Sequence, residues 1–395
     1  MHYEDLDEGV LSTFDSYDHH ETVRKVTTTS GLTAYIAVHN TNLGPALGGL
    51  RMRAYANDRE AINDVLRLSR GMTYKNAMAG LPLGGGKAVI IGHPFAQKTE
   101  SLMTEIGEAV ESLEGKYITA EDSGTGEADM LAISARTEFV VGLPPEHLAG
   151  KDFGELGGNP SPLTALGVYR GIQVAVKQKR GSDTLSGLTA SVQGVGAVGL
   201  ETCKLLKQDG VRLIVTDVND AQIKMARDTL GDVAVVAPDD IYVQDADIFV
   251  PSAMGGILND KTISQLKAVI VAGAANNQLL SPYHDKMLAD LGILYAPDYV
   301  INAGGVICVG YEYFRKSAYN PLDFDMTREA MVEHVERVGR NVADVLQYAR
   351  ANHLTPGVAA DRLAEERFMG RDGLKSVNSE TPPSYGRGGG KTLVQ

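Results

Sequence analysis

The sequence predicts an α/β protein of two domains, and three observations carry that reading. At 395 residues the chain is long enough to build more than one hydrophobic core. Beyond about residue 161, short apolar runs alternate with helical stretches, the pattern of an open, mostly parallel sheet. Between the halves lies a connector rich in proline and glycine, Leu143-Pro-Pro and then Gly157-Gly-Asn-Pro-Ser-Pro162.

The elements follow in order. The first 25 or so residues are acidic and polar and are expected to be loosely ordered at the very start. Thr33-Ala-Tyr-Ile-Ala-Val38 predicts a strand over 32–38, and 40–49, with four glycine and proline positions, reads as a loop. Ile62, Val65, Leu66 and Leu68 recur at helical spacing behind Asp58 as N-cap, which predicts a helix over 58–69. Ala88-Val-Ile-Ile91 is a buried strand, and a helix over 99–113 carries Leu102, Ile106, Ala109, Val110 and Leu113 on one side. Tyr117-Ile-Thr119 is a short strand running into Ala120-Glu-Asp122-Ser-Gly-Thr-Gly126. After the connector, a helix is expected over 164–179 and strands over 188–192, 211–216, 247–250 and 268–272. Long helices over 327–352 and 356–367 complete the pattern, and the last 25 or so residues read as a disordered, glycine-rich tail.

Composition narrows the function classes. A net charge of −13 with no basic run argues against a nucleic-acid or anionic-membrane surface. Glycine, at 44 of 395 residues, exceeds the usual ~7% and points to tight loops around ligands. Cys203 and Cys308 are far apart with no metal-ligand spacing, so neither a disulfide framework nor a zinc site is expected. The pair His19-His20 reads as exposed and inert, and no metal is predicted. The acidic N-terminus lacks a secretory pattern, and no apolar run approaches the ~20 residues that span a bilayer. A soluble, cytoplasmic protein is the expectation.

The most informative segment holds two lysines among glycines: Gly71-Met-Thr-Tyr-Lys75-Asn-Ala-Met-Ala-Gly80, then Leu-Pro-Leu-Gly84-Gly-Gly-Lys87. Glycine removes side chains that would fill space, so a ligand can approach the backbone closely. Two ammonium groups in one pocket repel, and burial adds to that, so one lysine should lose its proton more easily. Such a lysine can act as a base near neutral pH while its neighbour stays cationic and holds an anion. The same stretch also reads as a glycine turn with two solvated lysines. It is not a Walker phosphate loop, since Leu81 stands where that pattern needs glycine and Ala88 replaces its Ser/Thr.

A second motif lies after the connector. Leu188-Thr-Ala-Ser-Val-Gln-Gly194-Val195-Gly196-Ala197-Val198-Gly199 carries three glycines between a strand and a helix. The next strand ends in Asp217, 18 positions beyond Gly199. Glycines allow the turn and the approach of a pyrophosphate, and the helix N-terminus offers amides and a positive dipole end. Asp217 would accept hydrogen bonds from ribose hydroxyls and repel a 2′-phosphate, which selects NAD over NADP. A glycine turn in an unliganded sheet is the bland alternative.

Together these motifs resemble the glutamate/leucine/valine/phenylalanine dehydrogenase family, its leucine/valine branch above all. The resemblance runs over roughly residues 20–370. Beyond the lysine segment and the fingerprint, it rests on Leu43-Gly-Pro-Ala-Leu-Gly-Gly-Leu-Arg-Met52, Thr119-Ala-Glu-Asp122 and Asn159-Pro-Ser-Pro-Leu-Thr-Ala165. Ala272-Gly-Ala-Ala-Asn-Asn-Gln278 and Tyr295-Ala-Pro-Asp-Tyr-Val-Ile-Asn-Ala-Gly-Gly-Val306 complete it. It implies NAD-dependent oxidative deamination of an L-amino acid to a 2-oxo acid and ammonia, in a homo-oligomer. It also implies an α/β substrate domain and a Rossmann-like NAD-binding domain, separated by a cleft that closes. The boundaries expected are 1–150 for substrate binding and oligomerisation, completed by 356–370, then 151–355 for NAD, with 371–395 as tail.

By resemblance, Lys75 holds the substrate carboxylate, Lys87 is the catalytic lysine, and Asp122 shuttles protons at the amino nitrogen. Gly48 and Gly49 would let backbone pack against substrate. Thr164 would meet the nicotinamide carboxamide, with Ala253, Gly255, Asn276 and Asn302 lining the cofactor. Relatives acting on glutamate carry lysine where this chain has Leu47, and serine where it has Val309. With Ala120 and Val306, the implied side-chain pocket is apolar throughout. A γ-carboxylate there would be desolvated without a partner at a cost of several kcal/mol, which disfavours glutamate. Leucine, valine and isoleucine differ by only ~1–3 kcal/mol of discrimination, and an aromatic substrate needs only a change in volume. A catalytically silent NAD-binding sensor is the alternative of another class. Gly126, Glu127 and Cys308 depart from the branch pattern.

Overall fold

Two six-stranded sheets organise the chain, one formed before residue 122 and the other after residue 188. The computed structural model describes residues 1–144, 147, 159–317, 321 and 326–377, with side chains as far as 370. Most of the connector expected between the halves lies outside the described residues.

The first sheet is built from β1 (His2–Asp5), β2 (Thr22–Thr27), β3 (Thr33–Asn40), β4 (Ala46–Arg53), β5 (Gly84–Ile91) and β6 (Tyr117–Glu121), in the order β1-β2-β3-β5-β4-β6. The pairs β1–β2, β2–β3 and β3–β5 are antiparallel, whereas β4 runs parallel to both β5 and β6. Helix α1 (Glu8–Leu11) precedes β2, and α2 (Asp58–Ala79), α3 (Glu100–Glu111) and α4 (Glu127–Ser134) cover the sheet. Alternation along the strands separates two faces. Leu50, Met52, Ala88, Ile90 and Tyr117 pack with residues of α3 and α4. Val89 and Tyr35 pack on the other face, with Ala61, Ile62, Val65 and Leu66 of α2.

Four expectations are corrected here. The N-terminal residues are not loose: β1 pairs with β2, and Arg24 clamps Asp5 through Nε and Nη2 at 2.7 and 3.0 Å. The segment 40–49 is half strand, because the paired glycines lie inside β4. Helix α2 runs ten residues further than 58–69, to Ala79, with Gly80 as its left-handed C-cap. It crosses Gly71 because burial of Thr73, Tyr74 and Asn76 through Ala79 outweighs the ~1 kcal/mol that glycine costs a helix. His20 is buried, with Nε2 3.0 Å from Leu66 O and its ring edge-on to His39.

The second sheet contains β7 (Thr189–Gln193), β8 (Arg212–Thr216), β9 (Ala234–Val235), β10 (Ile248–Pro251), β11 (Ile270–Val271) and β12 (Leu294–Tyr295), in the order β12-β11-β10-β7-β8-β9. Every pairing in it is parallel. The order reverses between β7 and β10, the switch point at which such sheets bind ligands. Its helices are α5 (Ser161–Arg180), α6 (Ala197–Gln208), α7 (Asp220–Leu230), α8 (Asp260–Gln265), α9 (Tyr283–Asp290) and α10 (Asp298–Ile301). Three more follow: α11 (Gly304–Lys316), α12 (Arg328–Ala351) and α13 (Pro356–Val377), the last broken at Gly370.

Helix α13 returns to the first half of the chain. Its Glu365 accepts from Tyr74 Oη at 2.8 Å, and Arg367 Nη1 donates to the carbonyls of Ala77 and Met78 at the end of α2. Its Asp361 accepts from Tyr299 Oη of α10 at 2.8 Å. The helix that carries Lys75 is thereby tied to the second half. No helix among the described residues is long and apolar enough to cross a membrane.

Candidate active site

Three adjacent strands, β5, β4 and β6, present their chemistry on the α2 face. Successive side chains of a strand alternate between faces, so Leu47, Gly49 and Arg51 share that face. Gly85, Lys87 and Val89 of β5 share it too, as do Ile118 and Ala120 of β6, with Asp122 just past the end of that strand.

Lys87 is almost fully buried at 6% exposure, and its Nζ lies 2.9 Å from Asp122 Oδ2. Burial pushes the Lys87 pKa down, while Asp122 opposes that shift. Burial also pushes the Asp122 carboxyl up, but Lys87 and Arg51 win and hold it down at about 2. Arg51 Nε donates to the same Oδ2 at 2.9 Å. The carboxylate therefore stands between two cations on a single oxygen.

Lys75 projects from α2, one residue beyond Tyr74. Desolvation lowers its pKa to about 8, helped by Lys87 and opposed by Asp298 and Asp122. Its residue surface keeps partial solvent access although cleft walls surround the ammonium. Nζ reaches Asn276 Oδ1, on the loop after β11, at 3.5 Å. The two lysines are thus neighbours in one site, and solvation of both in a turn is ruled out. Burial lowers both, not one alone, because desolvation acts on each.

The glycines serve the protein before any ligand. A Cβ on Gly85 would lie 2.0 Å from Thr73 N, and one on Gly86 2.6 Å from Tyr117 Cδ2. The bare Gly85 lets α2 backbone lie directly on β5, and the bare Gly86 makes room for the Tyr117 ring. A Cβ on Gly48 would meet Gly86 O at 1.7 Å, and one on Gly49 would lie 2.7 Å from Glu121 O and 2.8 Å from Asp122 Cβ. The space these two positions leave is filled by strand backbone and by Asp122, so close approach of substrate is not what demands them.

Leu47 and Val306 are buried in one apolar cluster, and Ala120, Val309 and Met72 pack against it. The four pocket residues expected from sequence therefore belong to one cluster, drawn from β4, β6 and α11. Cys308 is buried in the same cluster. Gly126 serves as the N-cap of α4, so the helix opens at Glu127.

Across the cleft, the fingerprint turn sits between β7 and α6. Gly194, at φ 93, has backbone geometry that suits glycine, and a Cβ there would strike Ala253 Cβ at 2.6 Å. A Cβ on Gly199 would lie 2.1 Å from Gly194 O, whereas Gly196 faces open space. Gly196 caps α6 without a side chain, so Ala197, Val198 and Gly199 form a first turn open to an anion. Asp217 accepts from Val195 N and Asn219 N, both at 2.9 Å, which pins the carboxylate at the end of β8. Gly255 packs against the carbonyls of Asn276 and Asn277. Asn302 Nδ2 donates to Asn276 Oδ1 at 2.8 Å and to Ala274 O at 3.0 Å. Thr164 Oγ1 donates to Pro160 O at 3.0 Å beside Gly305. Two buried polar atoms at this end of the sheet, Ser252 Oγ and Asn302 Oδ1, find no partner among the described residues. An open helix N-terminus, a fixed carboxylate and unpaired polar atoms fit a dinucleotide.

Sequence reasoning missed Arg51, Asp64 and Asp298. Arg51 had a signal, since it stands two residues after Gly49 in the same motif and therefore on the same face. Asp298 reaches Lys75 only through the tertiary fold, from α10.

The profile described as Glu/Leu/Phe/Val dehydrogenase, dimerisation domain, matches residues 19–139, and that of Glutamate/Leucine/Phenylalanine/Valine dehydrogenase matches 215–368. The chain belongs to this family. Among its members, leucine dehydrogenase of Geobacillus stearothermophilus is 48% identical over 354 residues, covering 90% of this chain and 92% of that one. Valine dehydrogenase of Streptomyces albus is 43% identical, covering 90% and 93%. The crystal structure of L-tryptophan dehydrogenase from Nostoc punctiforme superposes with a TM-score of 0.74 at 40% identity, covering 89% of this chain and 96% of that one. Family membership and the paired α/β fold are as the motifs led one to expect.

Proposed function

We propose that the chain catalyses the reversible, NAD-dependent oxidative deamination of a branched-chain L-amino acid to its 2-oxo acid and ammonia. The observation that carries this reading is the buried Lys87–Asp122 pair, 2.9 Å apart, together with the apolar cluster to which Leu47, Ala120, Val306 and Val309 belong. Its likeness to leucine dehydrogenases at 46–49% identity supports the same conclusion.

Lys75 receives the substrate carboxylate, and this added anion restores its proton affinity against burial. Asp122 takes a proton from the substrate ammonium, so that the nitrogen lone pair can form the C=N bond as the α-hydrogen leaves. Bound nicotinamide supplies the hydride acceptor. Lys87, in its neutral form, removes a proton from the water that adds to the α-carbon. Asp122 returns its proton to the departing nitrogen, collapse of the carbinolamine passes the hydroxyl proton to the leaving ammonia as the oxo acid forms, and Lys87 releases its proton to solvent. Leu47, Ala120, Val306 and Val309 exclude water from the aliphatic side chain and reject a γ-carboxylate. Asp217 places a negative charge where NADP carries its extra phosphate, which favours NAD. Thr164, Ala253, Gly255, Asn276 and Asn302 line the cofactor side of the cleft.

The domains divide near residue 150, with 356–370 completing the substrate domain, a reading supported by the seat of α13 on α2. Assembly into homo-oligomers through the first domain is supported by the description of the matching N-terminal profile. A reducing, cytoplasmic setting accords with two buried free cysteines. A tryptophan-type substrate is the second reading, favoured by the likeness to the Nostoc enzyme.

The test is the rate of NADH formation with leucine, valine, isoleucine, phenylalanine, tryptophan and glutamate in parallel, with NADP as the comparison cofactor. Turnover of the aliphatic set with NAD is expected. Turnover of glutamate, or NAD binding without turnover of any of them, contradicts the proposal.

A further inference from the structure

Arg51 has no part in the chemistry above, yet it bonds two carboxylates at the site. Nε donates to Asp122 Oδ2 at 2.9 Å, and Nη1 donates to Asp64 Oδ2 at 3.0 Å. Asp64 is itself held by Tyr55 Oη at 2.8 Å and by Arg67 Nη2 at 2.9 Å. One guanidinium thus joins β4 to α2 and to the end of β6. A planar fork can meet two carboxylates along separate edges, and an ammonium cannot reproduce that geometry.

Lys87 and Arg51 share one oxygen of Asp122 but differ in permanence. Lys87 is neutral for part of the proposed cycle, whereas a guanidinium stays protonated throughout. The other charged or titratable groups around the pair come from α2 (Lys75 and Asp64) and from β6 (Glu121 and Tyr117). Two of these four are carboxylates, which favour a proton on the pair, while burial pushes the Tyr117 phenol up and keeps it neutral. Arg51 is the fixed cation in contact with it.

We propose that Arg51, oriented by Asp64, is a positioning residue that keeps the Lys87–Asp122 pair short of one proton, and so in its base form. Two groups this close titrate as a unit, and a permanent cation on the shared oxygen lowers the proton affinity of that unit wherever the proton resides. This inference rests on the acid–base roles proposed for Lys87 and Asp122.

The experiment is the pH profile of kcat/KM for L-leucine with saturating NAD, for wild type, Arg51→Met, Arg51→Gln, Arg51→Lys and Asp122→Asn. NAD binding and thermal unfolding identify the folded variants. In the neutral variants the acid limb should move to higher pH by about one pH unit or more. Arg51→Lys, which keeps a cation, should restore most of the limb while kcat stays about 10-fold low from misplacement. A limb at the wild-type position in a folded Arg51→Met or Arg51→Gln overturns the inference. So does Arg51→Lys if its limb moves as far as that of the neutral variants, or as far as the full shift expected for them if neither folds. Wild-type turnover by Asp122→Asn overturns the underlying acid–base reading instead, and so separates the two failures.

Discussion

The two sheets build their halves of the cleft by opposite means. On the first, chemistry comes from side chains fixed by one another: Lys87 and Arg51 on Asp122, and Arg51 on Asp64. On the second, the cradle is mostly backbone at strand ends, with Gly196 open and Asp217 pinned by main-chain amides. The first half depends on which side chains are present, and the second on where atoms are missing. Glycine has a different meaning in each. At Gly49 the missing Cβ is space claimed by Asp122, whereas at Gly196 it is space left for a ligand.

Substituting these two glycines is the sharpest way to break that comparison. Gly49→Ala places a Cβ 2.8 Å from Asp122 Cβ and displaces the carboxylate from its two cations. A displacement of about 1 Å costs on the order of 100-fold in kcat/KM, with the KM for NAD unchanged. Gly196→Ala meets no atom of the described residues, so the melting temperature should hold while the KM for NAD rises about tenfold, a loss of about 1.4 kcal/mol. Equal effects of the two on kcat would erase the distinction.

The fingerprint was legible because its glycines, the helix it opens and the acidic end of β8 all lie close in sequence. So were Lys75 and Lys87, since both fall within one short motif. The secondary structure holding them was not. Glycine-rich stretches read as loops, yet 84–86 is strand, its bare backbone packed against the 40–44 loop, Thr73 of α2 and Tyr117, and Gly71 is helical because the residues after it are buried. The strand β1 escaped notice because its side chains are mostly exposed, leaving no apolar alternation to read. The contribution of Asp298 depends on α10 reaching the first domain, a contact that no spacing rule encodes.

Smaller effects sharpen the comparison. Leu47→Ala enlarges the apolar wall without touching the charged trio. The ratio of kcat/KM for phenylalanine over leucine should rise about tenfold, read from initial rates, while the pH profile stays in place. The smallest effect concerns the tie between halves. Burial raises the Asp361 carboxyl to about 6, against the pull of Arg70 and the hydrogen bond from Tyr299. The folded protein then holds a proton that the unfolded chain has released, so stability falls as pH rises from about 4 to 6. Asp361→Asn keeps an acceptor for Tyr299 and should flatten that fall by about 1 kcal/mol, seen in melting temperature against pH.

The most direct test of the division of labour is Lys87→Ala, with NAD affinity and leucine turnover measured on the same preparation. NAD binding at wild-type affinity with turnover reduced at least about 1000-fold is the predicted result. Turnover near the wild-type rate would contradict the account, because the buried lysine would then have no part in the chemistry.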